Sequence, residues 1–329
     1  MLLKKWYNRI RGDVMRFIYA QPATMKFKWQ MEVAITNLLS LGVHSKDIYV
    51  LFATEEDGDI SYDARIPDYI RNKYAVNVYG IPDKREEMAR RYIPSIKPYL
   101  LGRFFDENPK EIPFSYMYQD SDVVYRALPD FKSLQVDATH WYGSDVSSYL
   151  DANYIDSKGS DLLDRMCDCI DIDSQVVRDL NEHSIGAQLL FNSSPASLWY
   201  ESYQKSYTLY NYLASIESEY TKRYVEEGRP KEYPVQKWTA QMWTDLWVPA
   251  SHGIKMTPSK ELDFAWATDT YQQVQKKNIY HDAGVGPDDK DKFYKGSYNY
   301  KLPFHDDFNY VDQTSGSWFY VQQIEKVAI

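Results

Sequence analysis

SYMYQDSDVV, Ser115 to Val124, is an apolar strand that runs directly into Asp-x-Asp. Two carboxylates at a strand end, Asp120 and Asp122 with Ser121 between them, can hold one hard divalent cation and leave coordination positions for phosphate oxygens. Manganese or magnesium is the natural occupant. Such triplets arise by chance, and others begin at Asp57, Asp171 and Asp289. None of those three follows directly on an apolar strand, so position singles out Asp120.

Upstream, strand-like and helix-like segments alternate. RFIYA (Arg16 to Ala20) reads as a buried strand, Gln21 to Lys28 as a loop, and Trp29 to Leu41 as a helix whose Val33, Ile35, Leu38 and Leu39 share a face before Gly42. DIYVLFA (Asp47 to Ala53) and Ala75 to Tyr79 are further strands, separated by a short helix at Arg65 to Lys73, and Pro94 to Arg103 is a helix before FSYMYQ. This order predicts an α/β fold with a mostly parallel central sheet flanked by helices. Ligands of such sheets bind beyond the carboxyl ends of the strands, so the loops after the first strand and after Gln119 matter most. Downstream the expectation is more helical: a long helix over Ser194 to Glu219, an exposed turn at GRPKEYP (Gly228 to Pro234), and a helix over Val235 to Trp247. With no repeat, low-complexity tract or linker, the 329 residues are expected to form a single domain.

Composition narrows the function classes. Apolar residues at 44% and charged residues at 26% are ordinary globular usage. The 30 Tyr, 13 Phe and 9 Trp supply rigid core or flat stacking surfaces for sugars or bases. A net charge of −9 argues against a general polyanion-binding surface, because nonspecific nucleic-acid affinity comes from Lys and Arg. Cys167 and Cys169 are the only cysteines, too few for a four-ligand zinc site or a disulfide framework, and are read as reduced thiols of a cytosolic protein. Met1 to Arg16 has no signal-type apolar region, and no run is long and apolar enough to span a membrane.

Further candidates are scattered. NIYHDAGVG, Asn278 to Gly286, ends a short apolar approach in His281, whose imidazole can complete the coordination of manganese; Gly284 lets backbone approach a phosphate. HSIGAQ places Gly186 and Gln188 in a loop able to pass beneath a sugar, or in a plain turn. YGSDVSSYLDANY, Tyr142 to Tyr154, has the polar and aromatic character of an acceptor cleft, with Asp145 as its carboxylate, or of a solvated loop. In WTAQMWTDLW, Trp238, Met242 and Trp243 with Leu246 or Trp247 form an apolar stripe. Asp245 faces elsewhere, either as a solvent-exposed helix residue or as a general base for an acceptor hydroxyl. The P-loop, dinucleotide, zincin and hydrolase-elbow motifs are absent.

The order of RFIYAQP, FSYMYQDSDVVYRALPDF, YGSDVSSYLDANYI, IGAQLLF, QKWTAQMWTDLW and NIYHDAGV resembles phage-type GT-A glycosyltransferases, including those associated with TET/JBP-like base oxygenases and related to the base J glucosyltransferase. The resemblance covers roughly residues 14 to 310. It implies sugar transfer from a nucleotide donor, a UDP-sugar above all, to a hydroxymethyl group of a modified pyrimidine in DNA; a protein or small-molecule hydroxyl, or sugar-nucleotide binding without turnover, are the alternatives. It further implies Asp120, Asp122 and His281 as metal ligands and Ala20, Gln21 and Pro22 as the donor nucleotide loop. Ser121, Lys97, Gly186, Gln188 and Gly284 join the donor-binding set, and Asp145 and Asp245 the catalytic one. The implied layout is an N-terminal extension (1–13), a nucleotide-sugar half (14–125) and an acceptor-side half (126–329), in a bacteriophage protein of the host cytoplasm. Where the resemblance leads one to expect an acid, at the centre of WTAQMW, this chain has Gln241.

Overall fold

The computed structural model describes residues 15–55, 62–229 and 235–328. The 1–13 extension, the triplet at Asp57 and most of the expected turn at 228–234 lie outside the described residues. The main sheet has seven strands: β1 (Arg16–Pro22), β2 (Ile48–Thr54), β3 (Asn77–Pro82), β4 (Ser115–Tyr118), β6 (His140–Asp145), β7 (Ile185–Asn192) and β8 (Lys255–Pro258), in the order β3-β2-β1-β4-β7-β6-β8. β1 to β4 are mutually parallel, β6 and β8 are parallel, and β7 runs antiparallel to both neighbours. The α/β expectation, with a mostly parallel sheet flanked by helices and a helix near the C-terminus, is what the structure has.

β1 and β2 read as unbroken apolar runs because both of their faces are covered. Ile18, Tyr19, Val50, Leu51 and Phe52 are wholly buried. The 31-residue helix Ala196–Glu226 packs along both the Ile96–Glu107 and the Ala240–Ser251 helices. Gly102 permits the first contact, since a Cβ there would stand 2.8 Å from the Tyr200 ring. A second, three-stranded sheet, β5 (Val123–Tyr125), β10 (Ile279–His281) and β9 (Phe264–Trp266) in the order β5-β10-β9, carries its own apolar core with the Ser317–Val327 helix, which rests on the Met25–Ser40 helix.

Several expectations change. The helix expected from Trp29 begins at Met25, so the loop after β1 shrinks to Ala23 and Thr24. Gly186 and Gln188 lie within β7 rather than in a loop, and Tyr142 to Asp145 belong to β6. Mixed polar and small residues hid β6 and the first half of β7, whereas Leu189 to Phe191 read as a β-like run. Trp238 precedes the Ala240–Ser251 helix in a 3₁₀ turn and is 58% exposed, so the buried stripe is Trp243, Leu246 and Trp247.

Candidate metal and diphosphate site

β4 delivers its carboxylates at a change of sheet. Beyond Tyr118, Gln119 is locked by hydrogen bonds with the hydroxyls of Tyr19 and Tyr125. The Val123 N–H then donates to the Asp120 carbonyl at 3.2 Å, closing a turn that turns the chain out of the main sheet into β5. Antiparallel pairing sets Val123 against His281, and the Asp282 N–H donates to the Asp122 carbonyl at 3.0 Å. Strand register therefore brings the distant imidazole to the Asp-x-Asp turn.

One ligand atom from each of Asp120, Asp122 and His281 lies within 4.8 Å of the others. Two donors held by one hard cation at roughly 2.1–2.4 Å are at most about 4.8 Å apart, so the spacing and the oxygen-plus-imidazole set both fit manganese or magnesium. His281 Nε2 is 3.3 Å from Asp122 Oδ1 and 3.9 Å from Asp120 Oδ2. The Tyr118 hydroxyl donates to the other oxygen of Asp120 at 3.0 Å, orienting it. Lys295 already places a cation there: its ammonium donates to the Asp122 carboxylate and the Asp282 carbonyl.

Electrostatics bind the group together. Burial opposes ionisation of Asp122, yet Lys295 and His281 hold it well below the usual carboxylate range. Burial likewise disfavours charge on His281 and Lys295, but Asp122 raises the pKa of both. Asp282, buried beside Asp122, is pushed up to about 6 by desolvation, with Lys295 pulling the other way.

A cavity of about 210 Å³ opens against the triad. Ala20 and Gln21 from the end of β1, Lys26, Phe27 and Gln30 from the Met25–Ser40 helix, and Lys295 complete its walls. That is ample for several waters or for a phosphate-bearing ligand. Burial and then the Lys295 charge lower the pKa of Lys26, a state that an anion between the two ammoniums would relieve. Ser121 donates to Gln30 Oε1 at 2.8 Å, while Gln30 Nε2, Gln21 Nε2 and His281 Nδ1 are buried without a partner. Unpaired buried groups of this kind cost about 1–3 kcal/mol each until something meets them.

Of the sequence candidates, Ala20, Gln21, Ser121, Asp120, Asp122 and His281 meet at this cavity. Pro22 instead pairs with Ala53 in the sheet, and Gly284 turns the chain at φ +89° outside the lining. Gly186 packs against Val146 and Met242, and Gln188 is buried, accepting from Ser144 at 2.5 Å. Asp145 is exposed and accepts from the Ser147 N–H at 3.0 Å. Asp245 is corrected on one of its two readings: it is 4% exposed, not solvated. Its oxygens accept from Ser202 at 2.5 Å and from Gln241, and pair with Lys97 at 3.0 Å, so as a base it would have to give up partners. Lys97, expected at the donor, instead lies over the Tyr118 ring at 3.8 Å.

Sequence reading missed Lys26, Gln30 and Lys295. Thr24, an N-cap residue type, marks the true helix start and puts Lys26 and Gln30 one turn apart on one face. Nothing in DKDKFYKGS separates Lys295 from its neighbours.

No family model and no curated protein matches the chain. Solved structures that overlap it include the apo structure of the bifunctional glycosyltransferase WbbM (TM-score 0.46, 10% identity, 96% of this chain and 50% of that one). The galactosyltransferase LgtC in complex with donor and acceptor sugar analogues overlaps at TM-score 0.41 and 12% identity over 94% and 95% of the two chains. The mannosyltransferase Ktr4p from S. cerevisiae overlaps at 0.30 and 10%, over 77% and 68%. The chain thus spans about half the length of WbbM. Overlaps this loose assign neither family nor activity.

Proposed function

We propose that the chain is a metal-dependent, nucleotide-sugar glycosyltransferase of the GT-A type. The observation that carries this is the convergence of Asp120, Asp122 and His281 at the carboxyl end of β4, facing a cavity of about 210 Å³ that also holds Lys26 and Lys295. A divalent ion held there would supply charge neutralisation to the departing nucleoside diphosphate. Around it, Lys26 and Lys295 bind phosphate oxygens, and Gln21 and Gln30 donate their free N–H groups to donor oxygens. Tyr118 keeps one oxygen of Asp120 engaged, leaving the other for the ion or the ribose. A UDP-sugar is the proposed donor, and the chain is taken as one transferase unit acting in the cytoplasm, a bacteriophage protein in its host.

The acceptor is a hydroxyl. The 5-hydroxymethylpyrimidine of DNA rests on the sequence resemblance alone, and the net charge of −9 works against it. The test is UDP release from a panel of UDP-sugars with and without manganese, in the wild type and in Asp122→Ala. Activity indifferent to both chelation and the substitution sinks the proposal. Metal-dependent UDP-sugar binding with no turnover under any acceptor would leave a binding protein instead.

A further inference from the structure

Strand β9 has two faces with different fates. Ala265 pairs across to Tyr280, which pairs to Val124, and all three belong to the core of the smaller sheet. Phe264 and Trp266 alternate with Ala265 and so lie on the opposite face, in one row with Ile279 and in the other with His281. On that face Val123, Tyr125 and Ile279 join the main core, and Phe264 packs partly against it. Trp266 joins neither core.

Its half-buried ring spends its contacts on the site instead. The indole lies nearly parallel to the His281 imidazole, 13° between planes and 6.0 Å between centroids. Phe264 meets it at 4.7 Å and 61°, and Tyr149, from the segment after β6, at 6.3 Å and 66°. The Trp266 N–H of the backbone donates to Asp269 at 2.9 Å, which pins the strand end; among the described residues no hydrogen bond holds the indole N–H. None of these three rings lines the cavity of Lys26 and Gln30. They flank the metal triad from outside the cavity proposed for the donor.

We propose that Trp266, backed by Phe264 and Tyr149, is the platform on which a neutral sugar ring of the acceptor stacks with one hydroxyl directed at the triad. This rests on the glycosyltransferase reading. An indole face suits the apolar C–H face of a pyranose, while its N–H is free for a hydroxyl at the ring edge. On its Tyr149 side the platform is flanked by carboxylates. Asp145 is exposed, the Asp120 side chain is 43% exposed, and both act on the Tyr149 hydroxyl, whose pKa is raised by burial first and by these two charges next. A sugar hydroxyl can donate to the exposed Asp145 carboxylate, which would meet a phosphodiester with like charge. In the transfer the acceptor oxygen bonds the anomeric carbon as the bond from that carbon to the diphosphate oxygen breaks. The electron pair leaves on the nucleoside diphosphate, and the hydroxyl proton passes to water.

Saturation-transfer NMR with methyl glucosides, galactosides and mannosides and with a hydroxymethylated DNA oligonucleotide, in the presence of the diamagnetic ion magnesium and UDP, tests the platform without requiring turnover. Ring C–H signals of at least one glycoside are expected with wild type, lost by tenfold or more in Trp266→Ala and partly kept in Trp266→Phe. UDP signals in the same sample report that the variant is folded. No glycoside signal with wild type, equal signals in Trp266→Ala, or binding only of hydroxymethylated DNA would overturn the platform. Failure of the transferase reading has a different signature: no wild-type UDP release from any donor.

Discussion

Two strands of one sheet, β3 at its edge and β4 at its centre, end in buried charge, and they are built in opposite ways. β3 runs into Asp83-Lys84-Arg85, and β4 into Asp120-Ser121-Asp122. At the first, Arg85 forks onto both oxygens of Asp83 at 2.9 Å, Tyr62 adds a hydrogen bond at 2.6 Å, and the remaining guanidinium nitrogen reaches Ser95 at 2.7 Å and the carbonyls of Ala89 and Tyr92. Charge and hydrogen bonds close on themselves. At the second, Asp122, Lys295 and His281 interlock, but Gln21, Gln30 and His281 keep buried nitrogens without partners beside two ammoniums. A closed knot holds loops in place; an open one is finished by something the chain lacks.

The contrast can be broken most forcefully at Asp122. Asp122→Ala removes the central carboxylate, and metal-stimulated donor turnover is expected to fall on the order of a thousandfold, since a bound cation supplies several kcal/mol to the departing charge. Manganese titration and UDP release of the folded fraction read this, since removing Asp122 also strands the Lys295 ammonium and lowers the unfolding midpoint. Arg85→Met does the converse. It strands a buried carboxylate at a cost of about 3–5 kcal/mol in urea unfolding, while manganese affinity of the folded fraction is preserved. Loss of metal binding with retained stability would show that the two knots are not separate.

Smaller effects refine the picture. Tyr118→Phe frees one oxygen of Asp120 from its orienting hydroxyl and should weaken manganese binding by about tenfold, measured by calorimetry. An unchanged affinity would mean that Asp120 meets the ion only through water. The subtlest test is pH. Against the opposing pull of burial, Arg85 lowers the pKa of Asp83, so this pair stabilises the fold above about pH 4, where an unfolded Asp is ionised, and the contribution fades as pH falls through the lower folded value. The stability gap between wild type and Arg85→Met should therefore narrow on going from pH 7 towards pH 3. A gap that widens would assign the stabilisation to other groups.

Much of this was legible in the chain and some was not, for reasons that particular residues make plain. RFIYA, DIYVLFA and FSYMYQ are strands with both faces covered, so their apolar runs declare them and their place in a parallel sheet. β6 and the first half of β7, with Gly143, Ser144, Gly186 and Gln188 inside them, carry no such pattern, and a bulge between Gly143 and Ser144 breaks the alternation further. Asp120 and Asp122 could be chosen because strand and carboxylates are adjacent in sequence. Asp245 could not be placed, because the partners that bury it, Ser202 and Lys97, come from two other helices, and only Gln241 is local.

What the sequence determined by itself is local: which segments pair as strands, where the carboxylates follow one, and that the charge balance is acidic. The grouping of His281 with Asp120 and Asp122 was expected from resemblance, but tertiary structure supplied the β5-β10 register that achieves it, and it alone decided that Lys295 crosses to the same carboxylate and that Trp266 turns to the triad rather than to a core. The physical reason is range. Backbone propensity and apolar periodicity act over a few residues and are written in order along the chain, whereas a cation site needs donors within about 5 Å, and only packing brings distant residues that close.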